Sequence, residues 1–461
     1  MSTPTAVETA LEHSTLFRFA TAGSVDDGKS TLVGRLLHDS KSVLADQLDA
    51  VARTSAERGF GGERGGLDLA LLTDGLRAER EQGITIDVAY RYFATANRTF
   101  ILADTPGHVQ YTKNTVTGAS TADAVVVLID ARKGVLEQTR RHLAVARLLR
   151  VAHIIVAVNK IDLVDYSEDV FRDVEAQLKQ AARELKVDEP AIIPVSALEG
   201  DNVVDRSGKT PWYGGPSLLE TLEQLPALAD LETDIEAFRF PVQTVIRPQG
   251  AVAPGLDADT YRDYRGYAGQ VAAGSIRVGD AVTVQPSGRE TTVTGIDFAG
   301  QELEEAFAPQ SVVLRLADDI DIARGDLLAE AGSGTSVAQL PQPTQDLYAA
   351  LCWLSPKPLK EGSRLLIKHG SKTVQGLVRQ VINKLDLSSF ADQPASGLEL
   401  NDIGTVHIRL ASALPVDNYV NFRRTGAFLV IDPSDGNTLA AGLVESDHLE
   451  LSAREDERYV I

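Results

Sequence analysis

The strongest constraint on the fold is a loop bounded by two glycines near the start of the chain. An apolar run from residue 17 ends at Gly23, a polar loop continues to Ser30, and apolar residues return with helical spacing from Leu32. This pattern indicates a strand, a loop and a helix. It matches G-x-x-x-x-G-K-[ST], whose backbone N–H groups surround a polyphosphate at a helix N-terminus. The sequence therefore predicts a nucleoside triphosphate site, a chance glycine turn being the alternative for this motif alone.

The residues of this loop have separate tasks in holding a nucleotide. Glycine is required at Gly23 and Gly28, where a Cβ would block the approach of the backbone or a left-handed turn. Lys29 is expected to reach the outer phosphates, and Ser30 to bind Mg²⁺. The predicted nucleotide contacts of the loop are Gly23, Ser24, Val25, Asp26, Asp27, Gly28, Lys29, Ser30 and Thr31.

Length and composition limit the classes of protein that remain. A chain of 461 residues is expected to form about two to four domains. The net charge of −20 and the pI near 4.9 give no electrostatic footprint for nucleic acid or an anionic membrane. Cys352 is the single cysteine, which excludes an intrachain disulfide and predicts a buried, inert thiol. With no signal-peptide pattern and no membrane-length apolar run, we expect a cytoplasmic protein.

Three further motifs specify the nucleotide. DTPGH follows a predicted strand, so that Asp104 is placed to hold Mg²⁺ through water and the Gly107 N–H to contact the γ-phosphate. NKID follows another strand, and the carboxylate of Asp162 matches the ring N–H and exocyclic amine of guanine, which adenine does not offer. VSAL would close over the base. The predicted contacts are Asp104, Thr105, Pro106, Gly107, His108, Asn159, Lys160, Asp162, Ser196 and Ala197, and the nucleotide is GTP or GDP.

The remaining pattern predicts an α/β domain followed by two β-barrels. Continuous apolar runs at 124–130 and 152–162 alternate with an amphipathic segment, which indicates a mostly parallel sheet with helices on both faces. Short alternating runs punctuated by glycine and aspartate then indicate antiparallel barrels. We expect a lead-in at 1–16, a GTP-binding domain at 17–230, and barrels at 237–335 and 343–461. Within the first domain we expect an exposed loop at 59–66, a helix over 67–81 and a strand pair turning at 96–98.

The order and wording of these motifs resemble the translation-factor class of GTPases over essentially the whole chain. The resemblance implies that Thr85 of GITID ligates Mg²⁺ with Ser30 and Asp104, and reads the γ-phosphate. It also implies that His108 positions the attacking water, behind an apolar gate of Val25 and Ile84. His108, Lys29, Thr85 and Gly107 are then the candidate catalytic residues. Asp26 either helps to hold a monovalent cation or only caps the turn, and both interpretations stay open.

Within that class, the loop GSVDDGKST is most similar to the GTPase subunit of bacterial sulfate adenylyltransferase. Elongation factors usually carry histidine at the position of Ser24 and rarely aspartate at that of Asp27. The segments DTPGHVQYTKNTVTGAST and LIDARKGVLEQTRRH share the similarity, although Val109 and Thr115 depart from the usual family residues. The resemblance implies a heterodimer with a smaller catalytic subunit of the ATP pyrophosphatase type. That partner makes adenosine 5′-phosphosulfate and pyrophosphate from ATP and sulfate, driven by GTP hydrolysis.

The sequence also lacks the motifs that ATP–sulfate chemistry would need, as expected if a partner subunit performs it. The chain contains no SGGxDS-type loop and no second phosphate loop, so ATP–sulfate chemistry is not visible in it. The first alternative is a translation GTPase that binds aminoacyl-tRNA, which the two barrels suggest and which needs a basic face. The second alternative is a nucleotide-dependent scaffold without catalysis, which would keep its function after the substitution His108→Ala.

Overall fold

The computed structural model describes residues 16–43, 45–57, 67–72, 87–108, 112–187, 189–228, 237–248, 251, 259, 261–331 and 340–445. Two compact units divide the chain. The first comprises Met1–Leu228 with Asp386–Ala391, and the second Ala229–Leu385 with Asp392–Ile461. Among the described residues, every helix is too short or too polar to cross a membrane. The expected loop at 59–66 lies outside the described residues, as do Ile84, Thr85 and Val109.

The first unit contains a six-stranded sheet. Its strands are β1 (Leu16–Gly23), β2 (Ala89–Ala94), β3 (Thr99–Asp104), β4 (Ala124–Asp130), β5 (His153–Asn159) and β6 (Ala191–Pro194), in the order β2-β3-β1-β4-β5-β6. Only β2 runs antiparallel to its neighbour, because the expected turn at 96–98 joins it directly to β3. Every residue of β4 is buried, as a strand covered on both faces requires. The predicted mostly parallel sheet is confirmed.

Helices connect the parallel strands. Those described are α1 (Lys29–Asp39), α2 (Ala45–Glu57), α3 (Thr112–Ala119), α4 (Glu137–Leu148), α5 (Glu168–Leu185) and α6 (Leu218–Gln224), with 3₁₀ turns at Leu69–Leu72 and Ile161–Val164. The start of α6 is set by a capping box, in which Ser217 Oγ accepts from the Glu220 N–H and Glu220 accepts from the Ser217 N–H. The described part of the expected helix over 67–81 is a short 3₁₀ turn, which packs against α1 at Gly34.

An aromatic cluster holds the start of the sheet. Phe17, Phe19, Phe93 and Phe100 are almost fully buried, and the rings of Phe93 and Phe100 stack with centroids 4.8 Å apart. Burial of side chains of this size contributes about 1.5–3 kcal/mol each. The cluster therefore anchors β1 rigidly where it runs toward the loop after Gly23.

The second unit begins with an antiparallel sheet. Its strands are β7 (Arg239–Ile246), β8 (Gly266–Gln270), β9 (Ser275–Arg277), β10 (Ala281–Gln285), β11 (Arg289–Phe298), β12 (Gln301–Leu303), β13 (Glu305–Phe307), β14 (Ser311–Leu316) and β15 (Leu327–Glu330). Seven of them follow the order β10-β15-β7-β8-β14-β11-β12, and β10 also pairs with β11, which closes the sheet on itself. β9 and β13 form a separate pair.

A second closed barrel follows in the same unit. Its ring is β16 (Gln342–Trp353), β23 (Ile403–Val416), β19 (Lys372–Val381), β18 (Arg364–His369), β24 (Ala427–Ile431) and β25 (Thr438–Val444). Short pairs are made by β17 (Leu359–Lys360) with β22 (Gly397–Leu398) and by β20 (Asn383–Leu385) with β21 (Asp392–Pro394). Cys352 is fully buried in β16, so the prediction of a buried thiol is confirmed.

Candidate nucleotide site

The predicted phosphate loop joins β1 to α1. β1 ends at Gly23 and α1 begins at Lys29, so residues 24–28 form the loop between them. Gly28 has a φ of 92°, a left-handed conformation in which a side chain is strained. A Cβ on Gly28 would also lie 2.5 Å from Nδ2 of Asn159. The local backbone therefore requires the second glycine of the motif.

Lys29 is folded back over the loop. Its ammonium donates to the carbonyl oxygens of Gly23 at 2.9 Å and Ser24 at 3.0 Å, and the residue is only 7% exposed. The pKa of Lys29 is lowered, mainly by burial, although the nearby carboxylates of Asp104 and Asp27 oppose this. Its ammonium group lies against the loop, where a polyphosphate would need a positive charge.

The DTPGH motif lies beside the loop because β3 pairs with β1. Thr21 is opposite Asp104 in the register, and its hydroxyl donates to Oδ1 of Asp104 at 2.9 Å. Thr105 in turn donates to the carbonyl oxygen of Thr21 at 2.5 Å. These bonds hold the buried carboxylate of Asp104 at the end of β3.

Gly107 approaches the loop closely. A Cβ on it would lie 2.3 Å from Nζ of Lys29 and 2.6 Å from the carbonyl oxygen of Gly23. Only glycine fits without displacing one of these groups. Pro106 precedes it as a buried residue, and His108 follows as a partly exposed one. The structure thus brings Asp104, Gly107 and Lys29 together, while Thr85 lies outside the described residues.

Asn159 connects the phosphate loop to the loop after β6. Its Nδ2 donates to the carbonyl oxygen of Asp27 at 2.7 Å, and its Oδ1 accepts from the N–H of Ala197 at 2.9 Å. The side chain is 2% exposed, so both bonds are protected from water. Because one amide holds both loops, their separation is defined by a single buried side chain.

Lys160 and Asp130 connect the segment after β5 to the phosphate loop. Lys160 has a left-handed backbone, donates to the carbonyl oxygen of Asp26 and contacts Oδ2 of Asp130 at 3.1 Å. Burial raises the pKa of Asp130, but hydrogen bonds from Arg132 and Lys160 outweigh this and hold it well below the usual range. The carboxylate therefore stays ionised and positions Lys160. Asp130 was not singled out from the sequence.

The predicted base-recognition residues lie at neighbouring strand ends. Asp162 is partly exposed in the 3₁₀ turn after β5, whereas Ser196 and Ala197 are buried after β6. The N–H of Ile161 donates to the carbonyl oxygen of Val195 at 3.3 Å, which joins the two segments. Arg35 of α1 also donates to the carbonyl oxygen of Ala197 at 3.2 Å.

His142 is a residue of this region that the sequence analysis did not single out. It lies on α4, is 3% exposed, and forms a hydrogen bond with the backbone of Gly23. Burial is the main cause that lowers the pKa of His142 to about 3, and the charges of Lys29 and Arg141 contribute to the same shift. A neutral imidazole therefore supports the first glycine of the loop. Helical spacing in EQTRRH is its only sequence signal, and that spacing does not name the partner.

The donor set fits a polyphosphate with Mg²⁺. The backbone spaces at Gly28 and Gly107 would be filled by a Cβ, and they lie against Asn159 and Lys29. No group of three or more His, Cys, Asp or Glu among the described residues could hold a metal ion by itself. Mg²⁺ at nucleotide sites is commonly bound by one or two side chains together with substrate phosphates.

Comparison with known proteins identifies the family. Residues 14–228 match the model of the elongation factor Tu GTP binding domain, and residues 346–445 match the GTP-eEF1A C-terminal domain-like model. Sulfate adenylyltransferase subunit 1 of Teredinibacter turnerae is 48% identical over 94% of this chain and 88% of its own length. The chain belongs to the sulfate adenylyltransferase subunit 1 family. The predicted family, fold class and enzyme class are thereby confirmed.

Other relatives agree with this membership. Sulfate adenylyltransferase subunit 1 of Aeromonas salmonicida is 48% identical over 94% of this chain and 88% of its own length. The bifunctional enzyme CysN/CysC of Mycobacterium tuberculosis is 48% identical over 94% of this chain and 68% of its own length. As a member of this family with a GTP-binding domain, the chain binds GTP or GDP with Mg²⁺. The name "subunit 1" implies that the chain has a partner subunit. The translation-GTPase alternative is less supported.

Proposed function

We propose that this chain hydrolyses GTP to drive synthesis of adenosine 5′-phosphosulfate and pyrophosphate from ATP and sulfate on a smaller partner subunit in the cytoplasm. The observation that carries the proposal is the pair of bonds made by Asn159, which joins the phosphate loop to the base loop in a chain of this family. The partner is expected to be of the ATP pyrophosphatase type and to form a heterodimer with this chain. The proposed domain bounds are 17–230, 237–335 and 343–461.

The phosphate end of the proposed site is formed by the loop and the DTPGH motif. Ser30, Asp104 and Thr85 would hold Mg²⁺, which supplies positive charge to the β- and γ-phosphates. Lys29 adds a second positive charge, and the Gly107 N–H would contact the γ-phosphate. The burial of Lys29 and Asp104 supports these roles, since charge acts more strongly where water is excluded.

His108 is proposed to orient the attacking water. Phosphoryl transfer depends mainly on positioning and charge stabilisation, so an aimed imidazole suffices without covalent chemistry. Its position directly after Gly107 supports this role, because Gly107 lies against Lys29. Val25 and Ile84 would form an apolar gate that withholds the water until the partner binds. Asp26 is proposed either to bind a monovalent cation or to cap the loop.

Guanine recognition is assigned to Asp162. Its carboxylate would accept the ring N–H and the exocyclic amine, with Ser196 and Ala197 closing over the base. Lys160, which directly follows Asn159, is held by Asp130 and by the carbonyl oxygen of Asp26, which fixes the backbone just before Asp162. This rigidity supports discrimination, because a mismatched base would leave a polar group unpaired.

Coupling requires the GTP and GDP states to favour different states of the partner. Moving a two-state equilibrium from 1:99 to 99:1 takes about 5.5 kcal/mol of differential binding. Thr85 and Gly107 are the proposed transmitters, since they would read the γ-phosphate from two segments of the chain. Loss of that phosphate would release both.

A nucleotide swap tests the proposal. The chain is combined with its candidate partner, and pyrophosphate release from ATP and sulfate is measured with GTP or XTP. We expect GTP to stimulate the wild-type complex, and XTP to stimulate the complex carrying Asp162→Asn, because an amide matches xanthine. Asp173→Asn, on the exposed face of α5, removes the same charge and should keep the preference for GTP.

Two results would count against the proposal. If the wild-type complex releases pyrophosphate equally with and without GTP, the proposed coupling is wrong. If Asp162→Asn keeps the wild-type preference for GTP over XTP, the coupling stands but the assignment of Asp162 fails.

A further inference from the structure

The phosphate loop contains a buried carboxylate that the proposed function does not use. Asp27 is 2% exposed, and its Oδ2 accepts the backbone N–H of Ser24 at 2.7 Å. Its Oδ1 is also buried but has no hydrogen-bond partner among the described residues. The hydroxyl of Ser24, in the same loop, likewise lacks a partner.

The buried carboxylate of Asp27 lowers the stability of the folded chain. Burying a carboxylate without a paired cation destabilises the folded state, because its hydration is lost and not replaced. Burial raises the pKa of Asp27, as does the charge of Asp130. The Ser24 N–H and the charges of Lys29 and Lys133 lower it. Folding stability therefore gives no reason for a carboxylate here, where a neutral acceptor would make the same bond to Ser24.

The position of Asp27 suggests a reason connected with the ligand. Its Oδ2 accepts from the Ser24 N–H, its own backbone carbonyl is held by Asn159, and the charge of Lys29 acts on it, so the carboxylate is a buried negative charge in the segment that would surround the phosphates. Negative charge at this place repels a polyphosphate. A buried charge acts more strongly than an exposed one, because the surrounding medium screens it less.

We propose that Asp27 sets the lifetime of the bound nucleotide by weakening the hold of the phosphate loop on GDP. The inference rests on the proposed function, since it assumes that the phosphates occupy this loop. Lys29 attracts the phosphates and Asp27 opposes that attraction, so bound GDP leaves faster than it would without the carboxylate, and the site becomes free for the next nucleotide. Ser24 N–H holds the carboxylate in place.

The sign of the effect separates this role from a structural one. A residue that only shapes the loop would, when replaced, loosen the loop and speed nucleotide release. A residue that repels the phosphates would, when its charge is removed, slow nucleotide release. Asp27→Asn is the informative variant because its amide oxygen still accepts from the Ser24 N–H.

The experiment measures dissociation of a fluorescent GDP analogue from the full chain, chased with unlabelled GDP. We expect Asp27→Asn to slow dissociation by roughly tenfold, which corresponds to ~1.4 kcal/mol. Asp27→Ser, which also has a neutral acceptor oxygen, should shift the rate in the same direction. The difference should persist between roughly 0.05 and 0.5 M salt, because a buried charge is screened less than an exposed one.

Asp173→Asn serves as the matched control, since it removes an equal charge from an exposed position on α5 and should leave the dissociation rate unchanged. Unchanged or faster release from both Asp27 variants, with GDP still bound by the wild-type chain, overturns this inference alone. If the wild-type chain binds no GDP, the proposed site fails and this inference fails with it.

Discussion

At the scale of single residues, burial decides which titratable groups near the loop matter. His142 and Lys29 are both buried against Gly23, one neutral and one charged, and each bonds to its backbone. Asp27 is buried in the same loop without a paired cation. Burial lowers the pKa of both Lys29 and His142, but neighbouring carboxylates oppose this at Lys29, whereas the charges of Lys29 and Arg141 add to it at His142.

His142 should make the first unit sensitive to acid. Its pKa is about 3 in the folded chain, against 6.5 for an unperturbed histidine, so the unfolded chain takes up the proton first as pH falls. Stability is therefore highest above pH 6.5, and falls by about 1.4 kcal/mol per pH unit below it until the folded pKa is reached. Urea unfolding at pH 7.5 and 5.5, followed by fluorescence of Trp212, should show that His142→Asn loses less stability than wild type. Equal losses in the two proteins would contradict this.

At the scale of secondary-structure elements, close approach of backbones explains why some helix positions exclude a side chain. Gly34 lies in the middle of α1, where glycine is normally unfavourable by up to about 1 kcal/mol relative to alanine. A Cβ there would lie 2.0 Å from the carbonyl oxygen of Leu69, which belongs to the neighbouring 3₁₀ turn. The packing of two elements therefore outweighs helix propensity.

Gly34→Ala should destabilise the first unit despite the gain in propensity. Overpacking costs about 1–3 kcal/mol, and the obstacle here is backbone that cannot rotate away. The free energy of unfolding in urea, followed by Trp212 fluorescence, should fall by up to about 2 kcal/mol, the overpacking cost less the helix gain. Gly208→Ala is the control, because a Cβ on Gly208 meets nothing within 4 Å. A variant Gly34→Ala as stable as wild type would show that the two elements shift apart freely.

At the scale of the whole molecule, the second unit has a buried ion pair at its centre. Arg239 of β7 is fully buried and donates to Asp417 through Nε at 3.0 Å and Nη2 at 3.1 Å. Thr425 donates to the same carboxylate at 2.5 Å, and the guanidinium lies 4.2 Å from the ring centroid of Phe422. These contacts join the first strand of one barrel to the segment after β23 of the other.

Asp417→Ala should strongly destabilise the second unit. Removing one partner of a buried pair leaves Arg239 charged without compensation, which costs about 3–5 kcal/mol. Guanidinium unfolding followed by Trp353 fluorescence measures the loss. Glu305→Ala breaks the exposed pair with Arg277, so a change of about 0–1 kcal/mol is expected. Similar losses in the two variants would mean that the buried pair has no special role.

The sequence by itself determined what depends on nearby residues. The strand, loop and helix around Gly23, the turn at 96–98, the covered parallel sheet and the two barrels were predicted from local patterns, and the family from its motifs. The roles of Asp162, His108 and Thr85 stay predictions. The helix expected over 67–81 was wrong in its described part, which is a 3₁₀ turn packed against α1.

Only the tertiary structure decided which distant groups meet. Asn159 reaches the carbonyl oxygen of Asp27 across 132 positions, and Arg239 reaches Asp417 across 178. Likewise, the pKa of His142 on α4 is affected by the backbone of Gly23, and Oδ1 of Asp27 is buried with no hydrogen-bond partner among the described residues. Local patterns report the conformation that a segment prefers. Burial and charge pairing depend on the packing of segments far apart in the chain, and the local sequence does not contain that information.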